Sequence, residues 1–143
     1  MTRPSHPTAA RFLEQALLLD VVVRALALLA SVLLLPGLPG AWPADLAGRA
    51  GFLAHHPWLW RLGWLPWQLT ALADVLAAVA LWRTSWVRRL PALVVLLGTV
   101  AAVLPDQVGQ ALWVTRGLDL AEGASRTGAF APYLHFERDV SPW

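Results

Sequence analysis

Long apolar runs alternate along the chain with short clusters of Arg, Pro, Gly and Trp. The first run, Ala16 to Leu35, has twenty residues. At about 1.5 Å per helical residue it reaches across the roughly 30 Å hydrocarbon core of a bilayer. Asp20 and Arg24 interrupt it. Its thirteen Leu and Val residues favour insertion by roughly −4 to −8 kcal/mol, against about +5 to +7 kcal/mol for two charges at a helix centre. The run inserts by a narrow margin and reads as a signal anchor. It is longer than the apolar part of a cleaved signal peptide, and Pro39-Gly40-Ala41 is a poor cleavage site.

Pro36-Gly37-Leu38-Pro39-Gly40 stops this helix. An interfacial helix over about 43–56 is expected next, opening at Pro43 with Asp45 in its first turn and ended by Pro57. Trp42, Trp58, Trp60, Trp64 and Trp67 crowd this stretch, as suits a membrane–water interface. A second span follows over 63–82, with Pro66 in its first turn and Trp82 and Trp86 at its far end. It contains Asp74. Arg83, Arg88 and Arg89 fill the next turn, and Pro91 opens a third span. Its unbroken apolar character ends at Leu104, about 22 Å of helix. That is short for a bilayer, so the helix is expected to continue through Pro105 with a kink to about Val114. Thr99, Ala102, Asp106 and Gln110 would then share one face. In the remainder, 115–143, Gly123 to Gly128 reads as loop and Pro132 as the start of a short helix reaching Val140. There is no internal repeat. The pattern predicts an all-α integral membrane bundle forming a single domain: spans over 16–35, 63–82 and 90–114, the interfacial helix, and an extramembrane tail.

Composition agrees. The 143 residues are 57% hydrophobic and 14% charged, with mean hydropathy +0.54; soluble domains carry about 25% charge. All eleven basic residues are Arg and the net charge is +2. No basic run exists of the kind that holds a nucleic-acid backbone, so nucleic acid is excluded as a partner. Cys is absent, which excludes disulfides, thiolate metal sites and iron–sulfur clusters. Lys, Ile and Asn, which have AT-rich codons, are also missing. Their absence points to a GC-rich bacterial genome, and the expected location of such a helical membrane protein is the bacterial cytoplasmic (inner) membrane. The N-terminus carries Arg3 and Arg11, and the second turn carries three Arg. The longer first loop has Arg49 and Arg61. Arg enrichment marks the cytoplasmic side, which puts the N-terminus inside and the tail outside.

The charges inside the apolar runs are the sharpest pointers to a site, since each costs kilocalories unless paired. Asp20, Arg24, Ala27 and Ser31 form one stripe of the first span; Thr70, Ala71, Asp74, Ala77 and Ala78 form one on the second. Gly98 and Ala102 offer small residues on the third, which let helices approach closely. Arg24 and Asp74 both lie eight residues from the cytoplasmic boundary, about 12 Å deep. The expectation is that Arg24 bridges Asp20 and Asp74 and fixes helix register. The alternative is a proton or ion relay that continues through Ser31, Gln68 and Thr70, with Asp106 and Gln110 lining a vestibule.

Other candidates read as ordinary structure. His55 and His56, with Asp45 and His135, suggest a metal, but adjacent histidines point apart on a helix and no spaced ligand motif accompanies them. No metal or cofactor is expected. His135, Glu137, Arg138 and Asp139 read as a solvated helix face. No Ser or Thr stands in a nucleophile pattern. The expected function is therefore non-catalytic: a structural or accessory subunit in the lipid bilayer, joined to another membrane protein or to a second copy. A component of a transporter or proton- or ion-conducting assembly is the alternative, and a membrane enzyme with an outward-facing site comes third.

Overall fold

The computed structural model describes residues 7–40, 45–84 and 86–140. Every regular element among them is helical: α1 (Pro7–Leu34), a 3-10 turn (Leu35–Gly37), α2 (Leu46–His55), α3 (Pro57–Arg83), α4 (Arg89–Leu112), a π turn (Trp113–Gly117), α5 (Leu118–Thr127) and α6 (Ala131–Val140). Three continuous stretches, Thr8–Gly37, Pro57–Arg83 and Arg89–Thr127, are long and apolar enough to cross a membrane. Arg3, Trp42 and Pro43 lie outside the described residues, so α2 is seen only from Leu46 onward.

The helices overrun the apolar runs because local capping, not hydropathy, sets where they end. Asp45 caps α2, accepting the Gly48 N–H at 2.7 Å. His56 closes α2 by donating its N–H to the Phe52 carbonyl at 2.8 Å. Its own carbonyl then accepts the Trp60 N–H at 3.1 Å, so α3 begins with no intervening loop. Pro57 ends one helix and opens the next, at a position where a missing N–H is harmless. At the other end of the chain, α5 runs through Gly123 to Thr127, where a loop was expected. It stops at Gly128, whose positive φ of 73° suits a glycine cap; the Gly128 N–H reaches the Ala124 carbonyl at 2.9 Å. Helix α4 likewise passes Pro105 and joins α5 through the π turn, well beyond Val114.

The chain divides into two compact units. In the first, Met1–Leu26 with Pro66–Gln107, α1 and α3 run antiparallel. Leu13 and Ala16 are buried with Ala80, flanked by Phe12, Leu76, Ala77 and Leu81. The Arg83 guanidinium stands 6.0 Å from the Phe12 ring centre. On α4, Leu90, Val94, Leu97 and Leu104 are all exposed. This unit has small packed residues inside and a broad aliphatic exterior.

The second unit, Ala27–Leu65 with Val108–Trp143, is built differently. Helix α2 packs on α5 and on the 3-10 turn, and α6 packs on α5 and the π turn. Small residues at the contacts (Ala50, Ala121, Ala124) are buried along with Leu53 and Leu118, which lets the backbones approach. A row of edge-to-face aromatic rings runs through this core. Trp64 meets Trp60 at 5.7 Å, Trp60 meets Trp113 at 5.5 Å, and Trp113 meets Phe136 at 4.9 Å. Trp60, one of the Trp residues expected near a membrane interface, is fully buried within the chain. Its indole N–H donates to the Trp113 carbonyl at 3.1 Å. The π turn, where the regular i→i−4 ladder is interrupted, supplies that acceptor.

Gly37 fits into this core because it has no side chain. A Cβ there would stand 2.5 Å from Leu53 Cδ1 and 2.7 Å from Trp60 Cζ3, and both neighbours are fully buried. Gly37→Ala is expected to destabilise the fold by about 1–3 kcal/mol through overpacking. Gly51→Ala, with open space around it inside α2, should leave stability unchanged or raise it by up to about 1 kcal/mol. Thermal unfolding in detergent, followed by Trp fluorescence, checks both.

Candidate functional site

In the first unit, Asp20 and Arg24 lie one turn apart on α1, and Asp74 stands on the antiparallel α3. Arg24 Nε donates to Asp20 Oδ2 at 3.2 Å, and Arg24 Nη2 donates to Asp74 Oδ1. One guanidinium thus serves two carboxylates, and the cluster carries a formal charge of −1. The remaining Asp20 oxygen, Oδ1, is buried without a hydrogen-bond partner among the described residues. Helix geometry accounts for the arrangement: i,i+4 spacing brings Asp20 under Arg24, and the long Arg side chain reaches the neighbouring helix.

Asp74 also borders two clefts. One, of about 460 Å³, is mostly apolar, with Leu13, Leu17, Val95, Thr99 and Ala102 in its walls. The other, of about 260 Å³, is lined by Thr70, Ala71, Asp74, Ala102, Val103 and Asp106. Thr99, Ala102 and Asp106 therefore do share a face of α4, and it looks onto α3. Thr70 is buried and its hydroxyl donates to the Trp67 carbonyl at 2.7 Å, one turn back. Gln68 is half-buried on the same helix.

The two other expected members of the polar set belong to the second unit. Ser31 donates to the Ala27 carbonyl at 3.0 Å, and Gln110 is buried. His55 and His56 are also engaged locally. His55 Nδ1 lies 2.6 Å from the Gly51 carbonyl, and the His56 ring rests 5.3 Å from that of Phe52. Asp45 is engaged as a helix cap. Among the described residues, no group of three His, Cys, Asp or Glu is placed to hold a metal ion.

The second unit contains an ion pair that sequence reasoning missed. Arg49 on α2 grips Glu137 on α6 with two parallel bonds, Nε to Oε1 at 2.9 Å and Nη2 to Oε2 at 2.7 Å. Glu137 is buried and Arg49 largely so, with 5% and 14% of their side-chain surface exposed. Glu137 is thus no member of a solvated face. It lies with Tyr133 and Phe136 on the buried side of α6, and that i,i+3,i+4 spacing was the available signal. The Glu137 bond holds the Arg49 guanidinium above its ordinary pKa, against the opposing effect of burial. Burial pushes the Tyr133 phenol well above the usual tyrosine range, and the nearby Glu137 carboxylate adds to the shift.

Two outcomes follow from these geometries. A double-mutant cycle on Arg24→Ala and Asp74→Ala, read by denaturant unfolding in detergent micelles, should give a coupling of about 1 kcal/mol. A coupling of zero would show that the two helices are not joined there. Tyr133 is the sole tyrosine, so phenolate absorbance near 295 nm reports it alone. The unfolded chain releases this proton near pH 10, while the folded chain retains it. The contribution to stability is therefore complete below about pH 10 and declines as pH rises beyond it. Alkaline titration should show the phenolate appearing late, together with unfolding. An ordinary titration midpoint in the still-folded protein would contradict this environment.

Neither a protein-family model, nor a curated protein, nor a solved structure matches this chain.

Proposed function

We propose that the chain is an integral membrane protein of the bacterial inner membrane, crossing it with α1, α3 and α4, and that it acts without catalysis as a structural or accessory subunit of a larger membrane assembly. The observation that carries this is how little of α4 the chain itself covers. Over the most apolar eighteen residues of the Arg89–Thr127 helix, 6% are buried, against 28% for α3. A helix so apolar and so bare is stable where lipid or another helix surrounds it. The cleft of about 460 Å³ beside it, with small side chains at Ala77, Ala78 and Ala102, offers a second helix a close approach. The turn holding Arg83, Arg88 and Arg89 lies on the cytoplasmic side in this reading, with the N-terminus, and the chain beyond α4 lies outside.

A conducting role is the second reading, and one observation favours it. Asp74 faces both clefts and shares the Arg24 guanidinium with Asp20, so the cluster has one carboxylate more than it has guanidinium. A proton or a small cation would complete it.

Filling the cleft separates these readings. Thr99→Leu with Ala102→Leu places bulk on α4 in the cleft that Asp74 borders and leaves Asp20, Arg24 and Asp74 themselves unchanged. Purified at native level in mild detergent, the wild-type chain should migrate in a larger complex. The double variant should migrate as a smaller species with an unchanged unfolding temperature. A wild-type chain that runs alone, and that conducts protons in liposomes until Asp74→Asn stops it, would replace the accessory reading with the conducting one.

A further inference from the structure

In the second unit, charged side chains surround apolar surface in a cavity of about 390 Å³. Leu112, Arg116 and Leu120 line one wall, spaced four residues apart along the helix that passes through the π turn. His135, Phe136 and Asp139 line the other, at the i,i+1,i+4 spacing of one face of α6. This face adjoins the one that buries Tyr133 and Glu137, so packing of α6 fixes how the cavity wall is presented. Arg116, His135 and Asp139 are all exposed. Among the described residues, none of the three is engaged in an ion pair or a side-chain hydrogen bond. A cation and a carboxylate that border one cavity without neutralising each other can serve a ligand that carries both charges.

Counting along the helix indicates which ligand. Arg89–Thr127 is one continuous helix of 39 residues, whose apolar run opens at Leu90. About 20 residues cross the hydrocarbon core, so that core ends near Gly109. Leu112 falls at its edge. Arg116, seven residues past Gly109, lies about 10 Å farther along the axis, at headgroup depth.

We propose that this cavity holds one phospholipid of the phosphatidylethanolamine type. An acyl chain lies against Leu112, on the hydrocarbon side of Arg116, while Leu120 and Phe136 wall the cavity beside the headgroup. The phosphate accepts hydrogen bonds from the Arg116 guanidinium and a His135 ring N–H, and the ammonium donates to the Asp139 carboxylate. An anionic glycerol headgroup gives Asp139 no cation to accept from. A choline headgroup carries a cation with no N–H to donate. This inference rests on the membrane reading above.

The test uses the full chain, equilibrated in detergent with equal parts phosphatidylethanolamine, phosphatidylglycerol and phosphatidylcholine, with retained lipid counted by native mass spectrometry. Wild type should keep one phosphatidylethanolamine, preferred over phosphatidylcholine about tenfold, the value of one charge-assisted hydrogen bond. Asp139→Asn should erase that preference while retention of phospholipid persists. Arg116→Gln should lower retention of all three lipids about tenfold. Both residues are exposed, and matching unfolding temperatures will show that the variants fold. Equal retention of the three lipids, or retention indifferent to both variants, overturns the proposal. Soluble phosphoethanolamine competing as well as the lipid would assign the site to a free headgroup and overturn it too. Washing membranes with alkaline carbonate keeps the two readings apart. A chain released by the wash refutes membrane integration, whereas a chain that stays in the pellet but shows no lipid preference refutes the lipid site alone.

Discussion

A polar group set among leucines and valines has to find its partner inside the chain, and this one requirement accounts for most of the specific geometry seen here. Arg24 bonds one oxygen of Asp20 and one of Asp74 at once. The Ser31 and Thr70 hydroxyls turn back to carbonyls on their own helices. The Trp60 indole reaches the Trp113 carbonyl, and Arg49 and Glu137 close on each other in a bidentate pair. Leucine side chains can slide along one another with little change in energy. These directional contacts cannot, so they select the register in which the apolar helices meet.

The two units answer the requirement in different ways. In the first, polar contacts are few and the exterior is aliphatic, with Leu90, Val94 and Leu104 exposed. In the second, α5 and α6 are amphipathic and charged on their outer sides, where Glu122 and Arg126 pair at 3.4 Å. Their inner sides enclose a true core of Trp60, Trp113, Tyr133 and Phe136. Such a core is stabilised by excluding water. The first unit has little of that kind of interior, so its stability rests more heavily on the ion cluster and on the packing of Leu13 and Ala16 against Ala80.

The sequence made some of this legible and hid the rest, for physical reasons. Long apolar runs show themselves because length and hydropathy need no tertiary knowledge, and the three long helices follow from them. The Arg24–Asp74 contact was readable because two opposite charges at matching distances from the turn end of antiparallel apolar runs have few other partners. Helix α5 was hidden behind Gly123, Ser125, Thr127 and Gly128, which read as loop. Its buried stripe of Leu118, Ala121 and Ala124 is too small in side-chain volume to register as an apolar face, and it forms because α2 packs against it. The Arg49–Glu137 pair joins residues 88 apart, beyond the reach of any local pattern. The burial of Trp60 was hidden because a tryptophan's preference for interfaces gives no way to distinguish a buried ring from those beside it. Trp58, two residues earlier, is 71% exposed.

The uneven packing of α4 bears on what the chain does. Beyond Val108 its continuation is fixed by the Trp113 contacts, by the π turn and by Phe136 against Gly117. Before that, its aliphatic side chains meet little of the chain. Burying such a face against lipid or against a partner helix gains little hydrophobic energy either way, because both are apolar. The choice between them then rests on close packing at small residues and on any polar group presented there. Thr99, Ala102 and the carboxylate of Asp74 are arranged along that cleft, so a partner that donates a hydrogen bond to Asp74 would be preferred over acyl chains. In the accessory-subunit reading, a helix can therefore be taken up or released at α4 while the aromatic core and the Arg49–Glu137 pair keep the rest of that helix in place.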